Sequence, residues 1–425
     1  MKSILEELGI SSKASSLILE SEKKLTDAFA QVEAISCENT MRVMKAFYDN
    51  RVGEAHFAPT SGYGYDDMGR DTLDRVYADV FGAEDALVRH NFISGTHTLS
   101  TALFGVLRPG DVMFSVTGRP YDTLEEAIGL SGEAGSGSLR DFGIGYEELA
   151  LDGNGKIDLA GIADRLAANP AIKMVFLQRS CGYNVRPTLS CAEIAAAVQA
   201  AKAIRPDVIC MVDNCYGEFV ETQEPTAVGA DLMAGSLIKN PGGGLAQTGG
   251  YIAGRADLVK LCAYRLTSVG IGKECGATLG LSKSMYQGFF LAPHVVAQAV
   301  RSALLAAQVF ETLGYPVFPS PQDVRHDIIQ TIQFRSPDEL CQFCRGIQKG
   351  APVDSFVTPE PWDMPGYSDP VIMAAGAFVQ GASIELSADA PMRPPYTAYL
   401  QGGLTYESAR YAIMVAAQNI LDGGR

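Results

Sequence analysis

Two residues set the chemistry to be weighed. Asp213 closes the apolar run Val208-Ile209-Cys210-Met211-Val212, and Lys239 closes a second, Leu232 to Ile238. A carboxylate and an amine, each ending an apolar run, suit a site at the rim of a sheet. Such a carboxylate can hold a ring nitrogen protonated. A desolvated lysine beside it can serve as nucleophile and base. Gly242-Gly243-Gly244 and Gly249-Gly250 follow the lysine and permit close backbone approach. A third run, Ala86-Leu87-Val88, precedes Ile93-Ser94-Gly95-Thr96-His97-Thr98 at a helix start. Free N–H groups and hydroxyls there make a cup for phosphate. Tyr121 follows a fourth run, Val112 to Val116, and can stack on a planar ring. A phosphate cup, a stacking ring, an acid for a ring nitrogen and a lysine for an aldehyde point together to pyridoxal 5'-phosphate.

These groups need a sheet to carry them. The apolar runs are short, and a helical pattern separates them. Gly95 to Leu107, and the alanine-rich Ser190 to Ala203, are predicted helices; Met174 to Leu177 is another short strand. Strands alternating with helices mean βαβ units and a mostly parallel sheet. Residues 1–60 read as a helical arm, from Leu5, Leu8, Leu17, Leu25 and Phe29. Residues 61–295 read as the large cofactor-binding domain and 296–425 as a smaller α/β domain, with a long helix, Met285 to Leu313, running across the boundary.

The whole composition narrows the partners. The chain has 425 residues, 47% hydrophobic, with a formal net charge of -15, which is ample for a large core. An acidic surface argues against nucleic acid and anionic membrane, and for a small-molecule substrate held by local positive charge. The N-terminus lacks the pattern of a signal peptide, and no run reaches the roughly 18–20 apolar residues of a membrane span. Nine scattered cysteines suit reduced thiols in a cytoplasm.

The motifs resemble fold-type I pyridoxal-phosphate enzymes of cysteine and methionine metabolism. More closely, the chain resembles the bacterial aluminum resistance protein family, related to methionine gamma-lyase and cystathionine beta-lyase. Met211-Val212-Asp213-Asn214 resembles the group's V-D-N strand end, and Ser236-Leu237-Ile238-Lys239 its S-x-x-K. The resemblance implies that Ser236 touches the phosphate and Lys239 bears the cofactor. Ser94-Gly95-Thr96 is similar to its phosphate cup, and Tyr121 to its ring-stacking tyrosine. Tyr65 is similar to a tyrosine that reaches the phosphate of a neighbouring subunit, which implies a homodimer or homotetramer. Asp67 stands where the partner arginine is expected, and Arg70 is its substitute. The group's C-terminal carboxylate-binding arginine has no match, so Arg393 and Arg179 are the substrate candidates.

Other motifs carry bland readings. Asp152 to Asp158 begins like a calcium loop but puts Lys156 at the fifth position, so it reads as a turn. Cys341 and Cys344 read as packed cysteines on a helix, and Cys215 as a thiol buried beside the ring. The resemblance implies a carbon–sulfur lyase that splits a sulfur amino acid into thiol, ammonia and 2-oxo acid. The alternatives are an aminotransferase, a γ-replacement synthase, or a non-catalytic cofactor-binding stress protein.

Overall fold

The computed structural model describes residues 4–364 and 369–423. It contains two compact units, Asn39–Leu291, and Met1–Glu38 with Ala292–Arg425.

The first unit is built on seven strands: β1 (Asp85–Arg89), β2 (Val112–Ser115), β3 (Gly145–Glu148), β4 (Ile172–Gln178), β5 (Ile209–Asp213), β6 (Leu232–Ser236) and β7 (Gly250–Gly254). Their order is β1-β7-β6-β5-β4-β2-β3. The pairs from β3 through β6 are parallel, and β7 runs against both of its neighbours. Every residue of β5, β6 and β7 is buried. Helices cover both faces, which is why these strands read as unbroken apolar runs.

Phe92, Leu103, Met113, Phe176, Met211, Leu232 and Ile252 share one core. Each large side chain there stabilises the fold by roughly 1.5–3 kcal/mol. Helix Gly95–Val106 meets helix Ala256–Leu266 at Gly105, where a Cβ would lie 3.1 Å from Cys262 Cα. Any larger residue at Gly105 would push the helices apart. Ser190 caps helix Cys191–Ile204 in a capping box with Glu193.

The second unit holds an antiparallel sheet of β8 (Val317–Phe318), β9 (Gln330–Gln333), β10 (Val371–Ala374), β11 (Ser387–Pro391) and β12 (Thr397–Gln401), in the order β10-β11-β12-β9-β8. Helices Pro337–Gly350 and Tyr406–Leu421 pack closely because Gly346 and Gly350 lie against Ala416 and Ala412. Glu22, on helix Ser12–Lys24, accepts two hydrogen bonds from Arg410, at 2.7 and 3.0 Å. N-terminal and C-terminal helices thus join in one unit.

One expectation fails. Helix Ser282–Thr312 is long and apolar enough to cross a membrane, by length and composition. Scattered Lys283, His294 and Arg301 hide it from a search for unbroken apolar runs. Its most apolar window is 78% buried inside the protein, as in a core helix.

Candidate active site

The parallel strands bring their carboxyl ends to one edge of the sheet, and the predicted groups gather there. β5 ends at Asp213, β6 at Ser236, and Lys239 follows β6 after two residues. Lys239, Asp213, Tyr121, Gly95 and Thr96 line a single cavity. Ser236 stands just behind Gly95, whose missing Cβ would lie 3.5 Å from Ser236 Cβ.

Helix Gly95–Val106 aims its N-terminus at the cavity. Ser94 caps it, its Oγ accepting from His97 N at 3.0 Å. That contact spends Ser94 on the cap and leaves the Gly95 and Thr96 N–H groups with no intrahelical acceptor. Thr96 Oγ1 lies 2.7 Å from Thr123 Oγ1, another cavity residue. Ser236 Oγ is buried without a hydrogen-bond partner among the described residues. A buried hydroxyl normally has one, and a phosphate oxygen would supply it.

Asp213 Oδ1 accepts the Cys215 N–H at 3.1 Å. Burial raises the Asp213 carboxyl above the ordinary range, although Lys239 works against this. A protonated ring nitrogen would give this carboxylate a second cation. The amine of Lys239 lies 4.0 Å from the Tyr216 ring centroid. Burial disfavours its charge, yet Cys215, Tyr216 and Asp213 outweigh burial and hold the ammonium above the ordinary lysine range.

Tyr121 is fixed through its main chain, its N–H donating to Gln178 Oε1 at 2.7 Å. Its ring meets Tyr183 edge-on at 5.6 Å. Gly182, at φ +58°, leaves room for it, since a Cβ would lie 3.2 Å from Tyr121 Cδ2. The donor set therefore fits pyridoxal 5'-phosphate at each end: phosphate, ring face, ring nitrogen and aldehyde.

Sequence reasoning missed Gln178, Thr123 and Tyr216 as cavity residues. Gln178 was findable, as the last residue of an apolar strand beside Asp213. It also misjudged Arg179. That guanidinium is fully enclosed and off the cavity wall. It donates to Asn214 Oδ1 at 2.8 Å and Glu221 Oε1 at 2.6 Å, and pairs with Glu224 at 3.6 Å. Arg179 is thus held by buried partners and does not line the cavity.

Three other candidates are not among the residues that line this cavity. Tyr65 is exposed and stacks on Tyr63 at 5.4 Å. Arg70 is buried, donating to the Gly64 and Gly276 carbonyls and pairing with Asp71. Asp67, in the expected arginine position, instead caps helix Met68–Phe81 by accepting from Arg70 N. Arg393 belongs to the second unit, where it pairs with Asp369 at 2.7 Å. A larger cavity, about 270 Å³, is lined by Arg70, Arg89 and His90. These three side chains already bond to Gly64 and Gly276, to Asp74, and to Ala277.

The sequence model of the methionine gamma-lyase family matches residues 14–421. This chain belongs to the methionine gamma-lyase family. The uncharacterized protein YnbB of Bacillus subtilis (strain 168) is 52% identical over 403 residues, 95% of each chain. A carbon-sulfur lyase involved in aluminum resistance from Clostridium novyi NT is 50% identical, with 98% of both chains covered and a TM-score of 0.95. The pyridoxal-5'-phosphate dependent protein YhfS of Escherichia coli shares the fold at 13% identity, covering 92% of this chain and 97% of its own, with a TM-score of 0.61. Membership of the methionine gamma-lyase family, on this fold, implies a pyridoxal-phosphate cofactor and carbon–sulfur lyase chemistry.

Proposed function

We propose that this protein carries pyridoxal 5'-phosphate on Lys239 and cleaves a carbon–sulfur bond of a sulfur amino acid of the cystathionine, methionine or cysteine type. The products are a thiol, ammonia and a 2-oxo acid. The observation that carries the reading is the convergence of Lys239, Asp213, Tyr121 and the Gly95–Thr96 helix start on one cavity, beside the unpartnered Ser236 hydroxyl.

When bound, the cofactor withdraws electrons from the α-carbon of an attached amino acid. Ser236 and the Gly95 and Thr96 N–H groups hold its phosphate, Tyr121 covers its ring, and Asp213 holds its ring nitrogen. Lys239 Nζ takes and returns the substrate α-proton. To accept that proton, Lys239 must stand as the neutral amine. Arg393 binds the substrate carboxylate. The exposed Tyr65 reaches a neighbouring copy, in a homodimer or homotetramer. The acidic balance supports a small substrate over nucleic acid or membrane, and the scattered cysteines suit a cytoplasm.

The test is product analysis with L-cystathionine, L-methionine and L-cysteine. Thiol and 2-oxo acid from one of them alone supports the lyase. Turnover only with a second keto acid indicates an aminotransferase. A coloured protein that no amino acid perturbs indicates a non-catalytic role.

A further inference from the structure

Behind the cavity wall lies a buried acid that the proposed chemistry does not use. Glu218 is fully enclosed. Its Oε1 accepts the Tyr251 hydroxyl at 2.8 Å, and its Oε2 has no partner among the described residues. The carboxyl presses on β6, where a Cβ on Gly235 would lie 2.5 Å from Oε1. That contact makes glycine obligatory four residues before Lys239.

The backbone around Glu218 ties directly to the Lys239 loop. Asn240 Nδ2 donates to the Tyr216 and Glu218 carbonyls, each at 3.0 Å. The turn between them is strained, with Tyr216 at φ +74° and Phe219 at φ +63°. Non-glycine residues hold such angles only where the surroundings enforce them. Glu218 anchors this turn to β7 through Tyr251, and the turn holds the Tyr216 ring against the Lys239 amine.

Charge counting gives the state of the anchor. The titratable groups facing Glu218 are Tyr251 on β7, Tyr77 on helix Met68–Phe81, Cys215, Glu224 and Lys239, and the Cys215 thiol is itself pushed up by burial and so neutral. The nearby guanidinium of Arg179 already meets both Glu221 and Glu224. Asp213 sits beside Lys239 as a further carboxylate. An additional buried negative charge would be poorly compensated.

We propose that Glu218 is a positioning residue for the Lys239 site and works as a neutral carboxylic acid. The proposal rests on the reading of Lys239 as the cofactor lysine. Consistent with it, burial pushes the Glu218 carboxyl up to about 8.

Two readouts test it. The first is thermal melting of wild type and Glu218→Gln without added cofactor. A raised folded value makes stability fall as pH climbs from the ordinary 4.5 to about 8, and level off beyond. Wild type therefore loses stability relative to Glu218→Gln across that window, and the difference then stays constant. The second is the visible band of protein loaded with pyridoxal 5'-phosphate. In wild type it changes as pH rises above the ordinary carboxylate range, and Glu218→Gln lacks that transition. Glu218→Ala removes the Tyr251 acceptor and loosens cofactor retention several-fold, while Glu218→Gln restores it. If Glu218→Ala fails to fold, Glu218→Gln decides alone. A pH-independent melting gap, or an identical band transition in Glu218→Gln, overturns the proposal. A wild type that takes up no cofactor overturns the reading of Lys239 instead, and the melts still decide the protonation of Glu218.

Discussion

Gln178 and Asp213 are register partners at the ends of the adjacent parallel strands β4 and β5. One fixes the main chain of Tyr121, and the other stands beside Lys239 in the same cavity. The spacing of two strands thus links the placement of Tyr121 to that of Asp213.

Asp213→Asn keeps the shape and removes the charge. An amide cannot hold a ring nitrogen protonated, so turnover falls by on the order of 10²-fold or more. Steady-state kinetics on loaded protein measure this, with little change expected in the amount of cofactor bound. A variant within twofold of wild type would remove Asp213 from the chemistry.

Ser236→Ala deletes the hydroxyl that has no partner of its own. One hydrogen bond to a charged group is worth about 1.5–3 kcal/mol, so cofactor affinity weakens roughly ten- to hundredfold. Equilibrium dialysis reads it. Unchanged affinity would place the phosphate elsewhere.

Arg179→Met separates two roles. As a buried ion-pair centre, Arg179 leaves Glu221 and Glu224 uncompensated when removed, a cost of about 3–5 kcal/mol. Denaturant unfolding shows the loss. A raised KM at unchanged stability would return Arg179 to substrate binding.

Glu22 gives acid sensitivity to the second unit. Burial alone would raise its carboxyl, but hydrogen bonds from Arg410 and Tyr406 outweigh burial and hold it below the ordinary 4.5. Such a group contributes stability above its unfolded value and loses it as pH falls through the folded one. Wild type therefore loses melting temperature below about pH 4.5 more steeply than Glu22→Gln. Parallel acid profiles would show that this ion pair contributes nothing.

Much of this was legible because buried parallel strands read as apolar runs and their ends carry the ligands. Asp213, Lys239 and the Gly95 helix start stand out on that rule alone, whereas Ser236 was read only from the family's S-x-x-K pattern. β7 did not, since Gly-Tyr-Ile-Ala-Gly has the texture of a loop. Its first glycine is forced by packing, as a Cβ there would lie 2.1 Å from Thr98 Oγ1. Arg179 misled because sequence gives an arginine's place along the chain but not its partners. Glu221 and Glu224, more than forty residues downstream, decide its role. Tyr216 was hidden for a similar reason: only the turn held by Asn240 brings its ring to Lys239.

The central claim is that Lys239 carries the cofactor. Its most direct test is the visible spectrum of purified wild type and Lys239→Ala after incubation with pyridoxal 5'-phosphate and removal of the excess, read with mass spectrometry after borohydride reduction. The account predicts a band in wild type alone and a reduced adduct on the peptide that contains Lys239. A colourless wild type, or an adduct on another lysine, would contradict it.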